Sequence, residues 1–319
     1  MIRKLKYPRY LNIKEDEFDR RIEKAYKLLS SCKLCPRKCG VNRLEGEKGF
    51  CRSSEEVMIS SHNAHFGEEP PLVGNFGSGT IFFTNCNLKC VYCQNYPISQ
   101  LGNGNKVTLQ ELAKIMLALQ KRKCHNINLV TPTHFVPQIL KSFKLAIKMG
   151  LSIPIVYNTS GYESVDTLKL LDNIVNIYLP DARYTDNEIA IKYSSAPDYF
   201  EIMKKALKEM CRQVGDLAVD ETGVARSGLI VRHLVLPGGL SGTRKIMRFI
   251  AREISPHTYI SLMAQYFPVY QAGQFPPLSR RINRKEYREA LRAFKEEGLE
   301  NGWFQEGIKN NFKIKKNNS

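Results

Sequence analysis

The sequence of 319 residues has no uninterrupted apolar run of the about 18 residues that a membrane-spanning helix needs. Its N-terminus is basic, but no apolar segment follows, so the sequence does not predict a secretory signal peptide. It contains no repeat of fixed period and no low-complexity segment apart from a short Lys/Asn tail. We therefore expect a cytoplasmic protein without a membrane partner.

Acidic residues are scarce, with 31 Asp and Glu against 48 Lys and Arg, and the formal net charge is +17. A positive charge of this size would suit nucleic acid or an anionic membrane surface. The basic residues are spread along the chain, however, with a further group in the tail at Lys309–Lys316. This distribution is typical of a solvated surface, so nucleic acid is not an expected partner. Hydrophobic residues make up 43% of the chain, which is enough for a sizeable core.

Three segments differ in character. In the first, residues 1–79, an amphipathic helix with Phe18, Ile22, Ala25 and Leu29 at helical spacing precedes an irregular stretch rich in Cys, Gly and Pro. Residues 80–305 form the second segment, in which β-rich apolar runs alternate with amphipathic helical patterns. Residues 306–319 are a basic tail.

Six strands are predicted in the second segment, and each is followed by a helix. The predicted strands are Thr80–Asn85, Asn126–Val130, Ile153–Asn158, Ile174–Leu179, Leu229–Leu236 and Thr258–Met263. The predicted helices are one that begins with a capping box at Thr108–Glu111, then Pro137–Met149, Ser164–Leu171, Asp198–Val214, Thr243–Ile254 and Lys285–Glu297. Such alternation indicates parallel strands joined by helical crossovers. It favours an α/β protein with a partial (β/α)6 barrel, and a doubly wound open sheet is the alternative.

Seven of the nine cysteines fall into two groups. Grouped cysteines in a cytosolic protein favour a metal site over disulfides. Cys86, Cys90 and Cys93 have the spacing C-x3-C-x2-C, directly after the first predicted barrel strand. Three thiolates on one short loop can bind three irons of a 4Fe–4S cluster and leave the fourth iron open to a small molecule. Zinc is less favoured, because no fourth ligand is evident nearby.

This loop, with the aromatic Tyr92 before its last cysteine, resembles the signature of the radical S-adenosylmethionine (SAM) superfamily. The resemblance implies a 4Fe–4S cluster on the three cysteines and SAM bound at the open iron. One-electron reduction would cleave SAM to methionine and a 5′-deoxyadenosyl radical that abstracts hydrogen from a substrate. It also implies a flavodoxin- or ferredoxin-like reductant.

Further motifs resemble the PflX group, which comprises homologues of the pyruvate formate-lyase activating enzyme. They lie at Cys32–Arg43, His65–Leu72, Gly77–Phe83, Asn128–His134, Val231–Gly238 and Met263–Tyr266. The resemblance implies an oxidoreductase of the activase type, with a protein backbone glycine or another unactivated C–H group as the hydrogen donor.

SAM should lie across the carboxyl ends of the barrel strands, where polar residues collect. The candidate cofactor-binding residues are Tyr92, Thr131, Thr133, Asn158, Ser160, Asp181 and Arg232. Related enzymes hold the SAM amino group with a Gly-Gly-Glu bend after the second strand. This chain lacks that bend, so Thr133 or backbone carbonyls would have to serve. Arg232 could pair with the SAM carboxylate in a charge-assisted contact.

The first cysteine group comprises Cys32, Cys35, Cys39 and Cys51. Four thiolates can hold zinc tetrahedrally or bind a second iron–sulfur cluster, and the spacing leaves both open. Some glycyl-radical activases carry a two-cluster insert of eight cysteines after the radical motif. Here four cysteines precede the motif, which supports at most one further metal site.

Two alternatives to the activase-like function remain open. One is a radical SAM enzyme that acts on a small metabolite or RNA. The other is a zinc or iron–sulfur protein without catalytic activity that binds nucleic acid, and reductive SAM cleavage would distinguish it from the enzymes.

Overall fold

A computed structural model describes residues 6–305, so the predicted basic tail lies outside the described residues. The strands are β1 (Val57–His65), β2 (Ser78–Phe83), β3 (Asn105–Val107), β4 (Ile127–Val130), β5 (Ile155–Thr159), β6 (Ile177–Pro180), β7 (Ala218–Val219), β8 (Ala225–Leu234), β9 (Tyr259–Met263) and β10 (Gly302–Phe304). The helices are α1 (Glu15–Lys27), α2 (Pro70–Val73), α3 (Tyr96–Ser99), α4 (Leu109–Lys121), α5 (Val136–Lys148), α6 (Val165–Lys169), α7 (Asn187–Ser194), α8 (Tyr199–Val214), α9 (Thr243–Phe249) and α10 (Arg284–Glu296). A π-helical turn, Ile250–Ile254, continues α9. No helix of residues 6–305 is both long and apolar enough to span a bilayer.

One mostly parallel sheet organises the chain. Its strand order is β10-β9-β8-β6-β5-β4-β2-β1-β3, and β7 pairs with β8 outside this path. From β2 to β10 every neighbouring pair along the path is parallel, whereas β1 is antiparallel to both β2 and β3. Within the described chain the end strands β3 and β10 do not pair, so the sheet is open. The predicted α/β class and the incomplete barrel are therefore confirmed.

The six predicted strands correspond to β2, β4, β5, β6, β8 and β9, and the helices predicted between them are present. Strands β4, β5 and β6 are buried along their whole length, which explains their continuous apolar sequences. The capping box predicted at Thr108 is formed, because its hydroxyl accepts from the Glu111 amide while the Glu111 carboxylate accepts from the Thr108 amide. This exchange sets the start of α4.

The two faces of the sheet bury different residues. Outward-pointing side chains such as Leu129, Tyr157 and Tyr178 belong to the main core with the long helices. The buried members of a second cluster are sheet residues and Leu72 of α2, and the face of the sheet that carries them is called the inner face. These buried members are Leu72, Val156, Ile177, Leu179, Ala225 and Ile230. Because side chains alternate along a strand, Asn158, Asp181 and Arg232 continue this inner face towards the carboxyl ends.

Four strands, β1, β3, β7 and β10, were not predicted. The expectation of irregular structure is wrong for Val57–His65, because this segment forms β1 along the edge of β2. Its second half is polar and exposed, and a register shift between Ile59 and Ser61 interrupts the alternation that would have revealed a strand. Strands β3 and β10 have three residues and β7 has two, so all three are too short to produce a periodic signal.

Candidate active site

The cysteine loop begins where β2 ends. Asn85 has a left-handed backbone conformation, with φ of 71°, and turns the chain away from the strand. The loop is then held from outside, since the Lys89 amide donates to the Ser194 carbonyl at 3.0 Å and the Val91 amide donates to the Tyr193 carbonyl at 2.9 Å. The segment that carries the three cysteines is therefore fixed against the end of α7.

Each thiol of this loop lies near hydrogen-bond donors. Cys90 Sγ accepts from Arg183 Nη1 at 3.1 Å and from Ser194 Oγ at 3.0 Å. Cys86 Sγ accepts from the Leu88 amide at 3.3 Å, and Cys93 Sγ lies 3.0 Å from the hydroxyl of Ser99. These donors stabilise sulfur in its thiolate form.

Burial has the opposite effect on the free thiols. It raises the pKa of Cys86 to about 12, and the neighbouring Cys90 adds to this rise. Burial also raises the pKa of Cys93. A bound metal would deprotonate these sulfurs outright. Cys86 and Cys90 are buried and Cys93 is partly buried. Three such thiols, each near a hydrogen-bond donor, suit the ligands of an iron–sulfur cluster, in which each cysteine binds a different iron. Among residues 6–305, no three His, Cys, Asp or Glu side chains are grouped to hold a single metal ion.

A second polar group lies on the inner face at the carboxyl ends of β5, β6 and β8. Arg232 Nε donates to Asp181 Oδ1 at 2.9 Å, and Arg232 Nη2 donates to Asn158 Oδ1 at 2.6 Å. The other Asp181 oxygen accepts from Arg183 Nη2 at 2.5 Å. Burial alone would raise the pKa of Asp181, but the two guanidinium groups hold it below its ordinary value. The carboxylate therefore stays ionised between two arginines.

Arg183 joins the two groups. One of its terminal nitrogens contacts Cys90, and the other contacts Asp181. The cysteine loop and the strand ends are thus connected by a hydrogen-bonded path from Cys90 through Arg183 and Asp181 to Arg232. This path places the predicted residues Asn158, Asp181 and Arg232 beside the predicted cluster ligands.

The other sequence-predicted residues have different surroundings. The Tyr92 hydroxyl is buried and lies 2.5 Å from the hydroxyl of Tyr184. Ser160 is buried at the end of β5, and its hydroxyl has no hydrogen-bond partner among residues 6–305. Thr131 has a φ of 58°, which is rare for a β-branched residue and is an observed strain at the end of β4. The Thr133 hydroxyl donates a hydrogen bond to Glu163 Oε1 at 2.5 Å.

Two charged groups at this site, Glu68 and Glu69, were not predicted from the sequence. Glu68 lies between β1 and α2, and its carboxylate is 3.7 Å from Arg232 Nη1. Burial raises the pKa of Glu68 to about 7, although Arg232 opposes this rise. The adjacent Glu69 is buried, and its Oε2 has no hydrogen-bond partner in the part of the chain that the structure describes. Both carboxylates fall within the His65–Leu72 motif, which shows a family resemblance but does not by itself reveal a partner on β8.

The first cysteine group lies beside the second. Cys32, Cys35 and Cys51 are buried, whereas Cys39 is partly exposed and accepts a hydrogen bond from the Phe50 amide at 3.3 Å. The segment contacts the loop of Cys86, Cys90 and Cys93, called the radical loop, through Arg37, whose Nε donates to the Asn87 carbonyl at 2.9 Å.

The model for the radical SAM superfamily matches residues 80–223. Two relatives come from Methanocaldococcus jannaschii. The protein MJ0674 is 34% identical over 289 residues, which cover 88% of this chain and 78% of the relative. The protein MJ0808 is 23% identical over 271 residues, which cover 77% of this chain and 73% of the relative.

Solved structures show a more distant similarity. One described as native anSMEcpe with bound AdoMet has a TM-score of 0.45 and 13% identity, over 67% of this chain and 57% of that chain. A structure of TYW1 with a lysine-pyruvate adduct bound has a TM-score of 0.42 and 12% identity, over 68% of this chain and 73% of that chain. The family match begins at β2 and includes the three-cysteine loop at its carboxyl end. With this family match and 34% identity to MJ0674 over 88% of its length, the chain belongs to the radical SAM superfamily.

Proposed function

We propose that this protein is a radical SAM enzyme of the activase type, which takes a hydrogen atom from a backbone glycine or another unactivated C–H group of a protein. The observation that carries the proposal is that Arg183 connects the loop of Cys86, Cys90 and Cys93 with the charged residues at the strand ends. The sequence resemblance to the PflX group supports the activase type.

In this proposal the three cysteines hold a 4Fe–4S cluster. When bound and reduced by a flavodoxin- or ferredoxin-like partner, the cluster would supply the electron that splits SAM into methionine and a 5′-deoxyadenosyl radical. The radical would become 5′-deoxyadenosine when it takes a hydrogen atom, and the substrate would be left with the unpaired electron. Asp181 and Arg232 carry opposite charges, so they suit the amino and carboxylate groups of SAM.

The remaining predicted residues would complete the SAM site. Asn158 orients Arg232, while the backbone at Thr131 and the Ser160 hydroxyl, which has no partner within the described residues, offer further polar contacts. Tyr92 and Thr133 would act indirectly, because their hydroxyls already contact Tyr184 and Glu163. The apolar cluster around Leu72 lies on the same face, nearer the amino ends of the strands, and would exclude water from the reaction.

The test is reductive SAM cleavage by protein reconstituted without oxygen. Wild-type protein with dithionite should produce 5′-deoxyadenosine and methionine. Replacing Cys86, Cys90 and Cys93 together by Ala should abolish both products. Cys124→Ala is the matched control, because Cys124 is buried away from the loop beside Gly79. Full cleavage activity in the triple variant would refute the proposal.

A second measurement tests the substrate class. Cells grown in deuterated medium supply a protein fraction and a small-molecule fraction, and both are returned to ordinary water before the assay. If the substrate is a protein, 5′-deoxyadenosine should gain one deuterium only with the protein fraction, and protease treatment should remove the effect. Deuterium transfer from the small-molecule fraction alone would favour a metabolite and contradict the activase type.

A further inference from the structure

Arg183 is the one residue of the described chain whose side chain forms hydrogen bonds both to a cysteine of the radical loop and to Asp181 at the end of β6. Its Nη1 lies 3.1 Å from Cys90 Sγ, and its Nη2 lies 2.5 Å from Asp181 Oδ2. The guanidinium is planar and presents its donors as a rigid fork, so one arginine can serve both acceptors at once. A lysine at this position would have a single ammonium group for the two tasks.

Cys90 receives a second hydrogen bond from a residue far along the chain. Ser194, at the end of α7, donates to Cys90 Sγ at 3.0 Å, and its oxygen lies 2.7 Å from the Tyr184 hydroxyl. Both Ser194 and Tyr184 are fully buried. The sulfur of Cys90 therefore has two side-chain donors, one of which carries a positive charge.

Charge and hydrogen bonds at a ligating sulfur change the energy of an iron–sulfur cluster. Reduction adds negative charge, part of which resides on the sulfurs, so a nearby cation stabilises the reduced state more than the oxidised state. Donors held in place by other residues act in the same direction. Asp181 holds Arg183 in place but also offsets part of its charge.

We propose that Arg183 is a positioning residue that raises the reduction potential of the cluster by its bond to Cys90, with Ser194 making a smaller contribution. This inference rests on the proposed function, because it requires a cluster on the three cysteines. It goes further in assigning to Arg183 an effect on the cluster, separate from any contact with SAM.

The experiment measures the midpoint potential of the reconstituted full-length protein without SAM, by redox titration followed with electron paramagnetic resonance. The variants are Arg183→Gln, Arg183→Lys and Ser194→Ala. Arg212→Gln is the matched control, since it removes the same charge from a surface arginine that pairs with Glu209 and Asp172. Iron and sulfide content are measured first for every sample.

Arg183→Gln should have a more negative potential than the wild type, Arg183→Lys should lie between them, and Ser194→Ala should show a smaller negative shift. Arg212→Gln should match the wild type. A loaded Arg183→Gln protein with wild-type potential would overturn this inference while leaving the proposed function intact. If Arg183→Gln fails to hold a cluster, unchanged potentials in both Arg183→Lys and Ser194→Ala would overturn it. Wild-type protein that binds no iron and sulfide would refute the proposed function and this inference together.

Discussion

Thr133 donates a hydrogen bond of 2.5 Å to Glu163, and this contact joins the end of β4 to the loop after β5. The same carboxylate also accepts from the Thr159 and Tyr157 hydroxyls. Glu163 is buried, and burial raises its pKa from its ordinary value of 4.5 to about 7, although the three hydroxyl groups oppose the rise. A carboxyl group that titrates near neutral pH thus lies directly behind Thr133, at the strand where related enzymes place their Gly-Gly-Glu bend.

The raised pKa of Glu163 predicts a pH dependence of stability. Between pH 4.5 and 7 the folded protein holds a proton on Glu163 that the unfolded chain has lost, so the free energy of unfolding falls as pH rises through this window. At about 1.4 kcal/mol per pKa unit, the full effect is roughly 3 kcal/mol. Glu163→Gln cannot ionise and should lack this contribution, so its stability relative to the wild type should improve from pH 5 to pH 8.

Urea unfolding of both proteins at four pH values in this range measures the effect. Glu68, which also has a raised pKa, is present in both proteins, so its contribution cancels in the comparison. Parallel stability curves for wild type and Glu163→Gln would contradict the prediction.

The paired guanidinium donors of Arg232 predict a loss of SAM affinity when lysine replaces this arginine. Arg232 is held by Asp181 and Asn158 and has Glu68 nearby, so Arg232→Lys keeps the charge but loses the paired donors. SAM binding should weaken by about 1–3 kcal/mol, the cost of a hydrogen bond to a charged group. Isothermal titration of the reconstituted proteins measures this. Unchanged affinity with a lower melting temperature would show that Arg232 only stabilises the strand ends.

The burial of Leu72 predicts that the segment between β1 and β2 stabilises the inner face of the sheet. The side chain is fully buried against Val156, Ile177 and Ile230. Leu72→Ala should lower the free energy of unfolding by about 2–5 kcal/mol, because it removes transfer energy and leaves a cavity. Leu101→Ala is the control, since Leu101 is 58% exposed and should change stability by less than about 0.5 kcal/mol. Equal effects in denaturant unfolding would show that Leu72 contributes no core packing.

The barrel strands could be predicted from the sequence because strands buried on both faces have continuous apolar runs, as in Ile177–Pro180. The helix at Thr108 could be predicted because its cap depends on neighbours three residues apart. The second half of β1 could not, because it is polar and is ordered by pairing with β2.

At the site, too, local patterns could be predicted from the sequence and contacts between distant segments could not. Three cysteines on one loop form a local motif, and strand-end polar residues such as Asp181 follow from the parallel sheet. Ser194 and Glu163 could not be found in this way, because their partners Cys90 and Thr133 are 104 and 30 residues away along the chain. Only the folded chain brings these pairs together.

The first cysteine group predicts a metal site separate from the radical loop. As the structure describes them, these four thiols are not grouped to hold a single metal ion. Three of the four are buried in one short segment, and we propose that Cys32, Cys35, Cys39 and Cys51 draw together around a second metal, either zinc or an iron–sulfur cluster. Four protein ligands would leave no open position for a substrate, so such a site would be structural or would relay electrons. Cys32→Ser with Cys35→Ser should therefore leave dithionite-driven SAM cleavage largely intact.

The same double variant should lose bound metal and become less stable, because the free energy of metal binding contributes to folding when the unfolded chain has no site. Cys124→Ser with Cys211→Ser is the control, since it removes two thiols outside both groups. Metal and sulfide analysis under anaerobic conditions identifies the ligand: loss of zinc would indicate a zinc site, and loss of iron with sulfide would indicate a second cluster. If the variant retains the metal content of the wild type, these four cysteines hold no metal, and their burial serves only the packing of the N-terminal segment against the radical loop through Arg37 and Asn87.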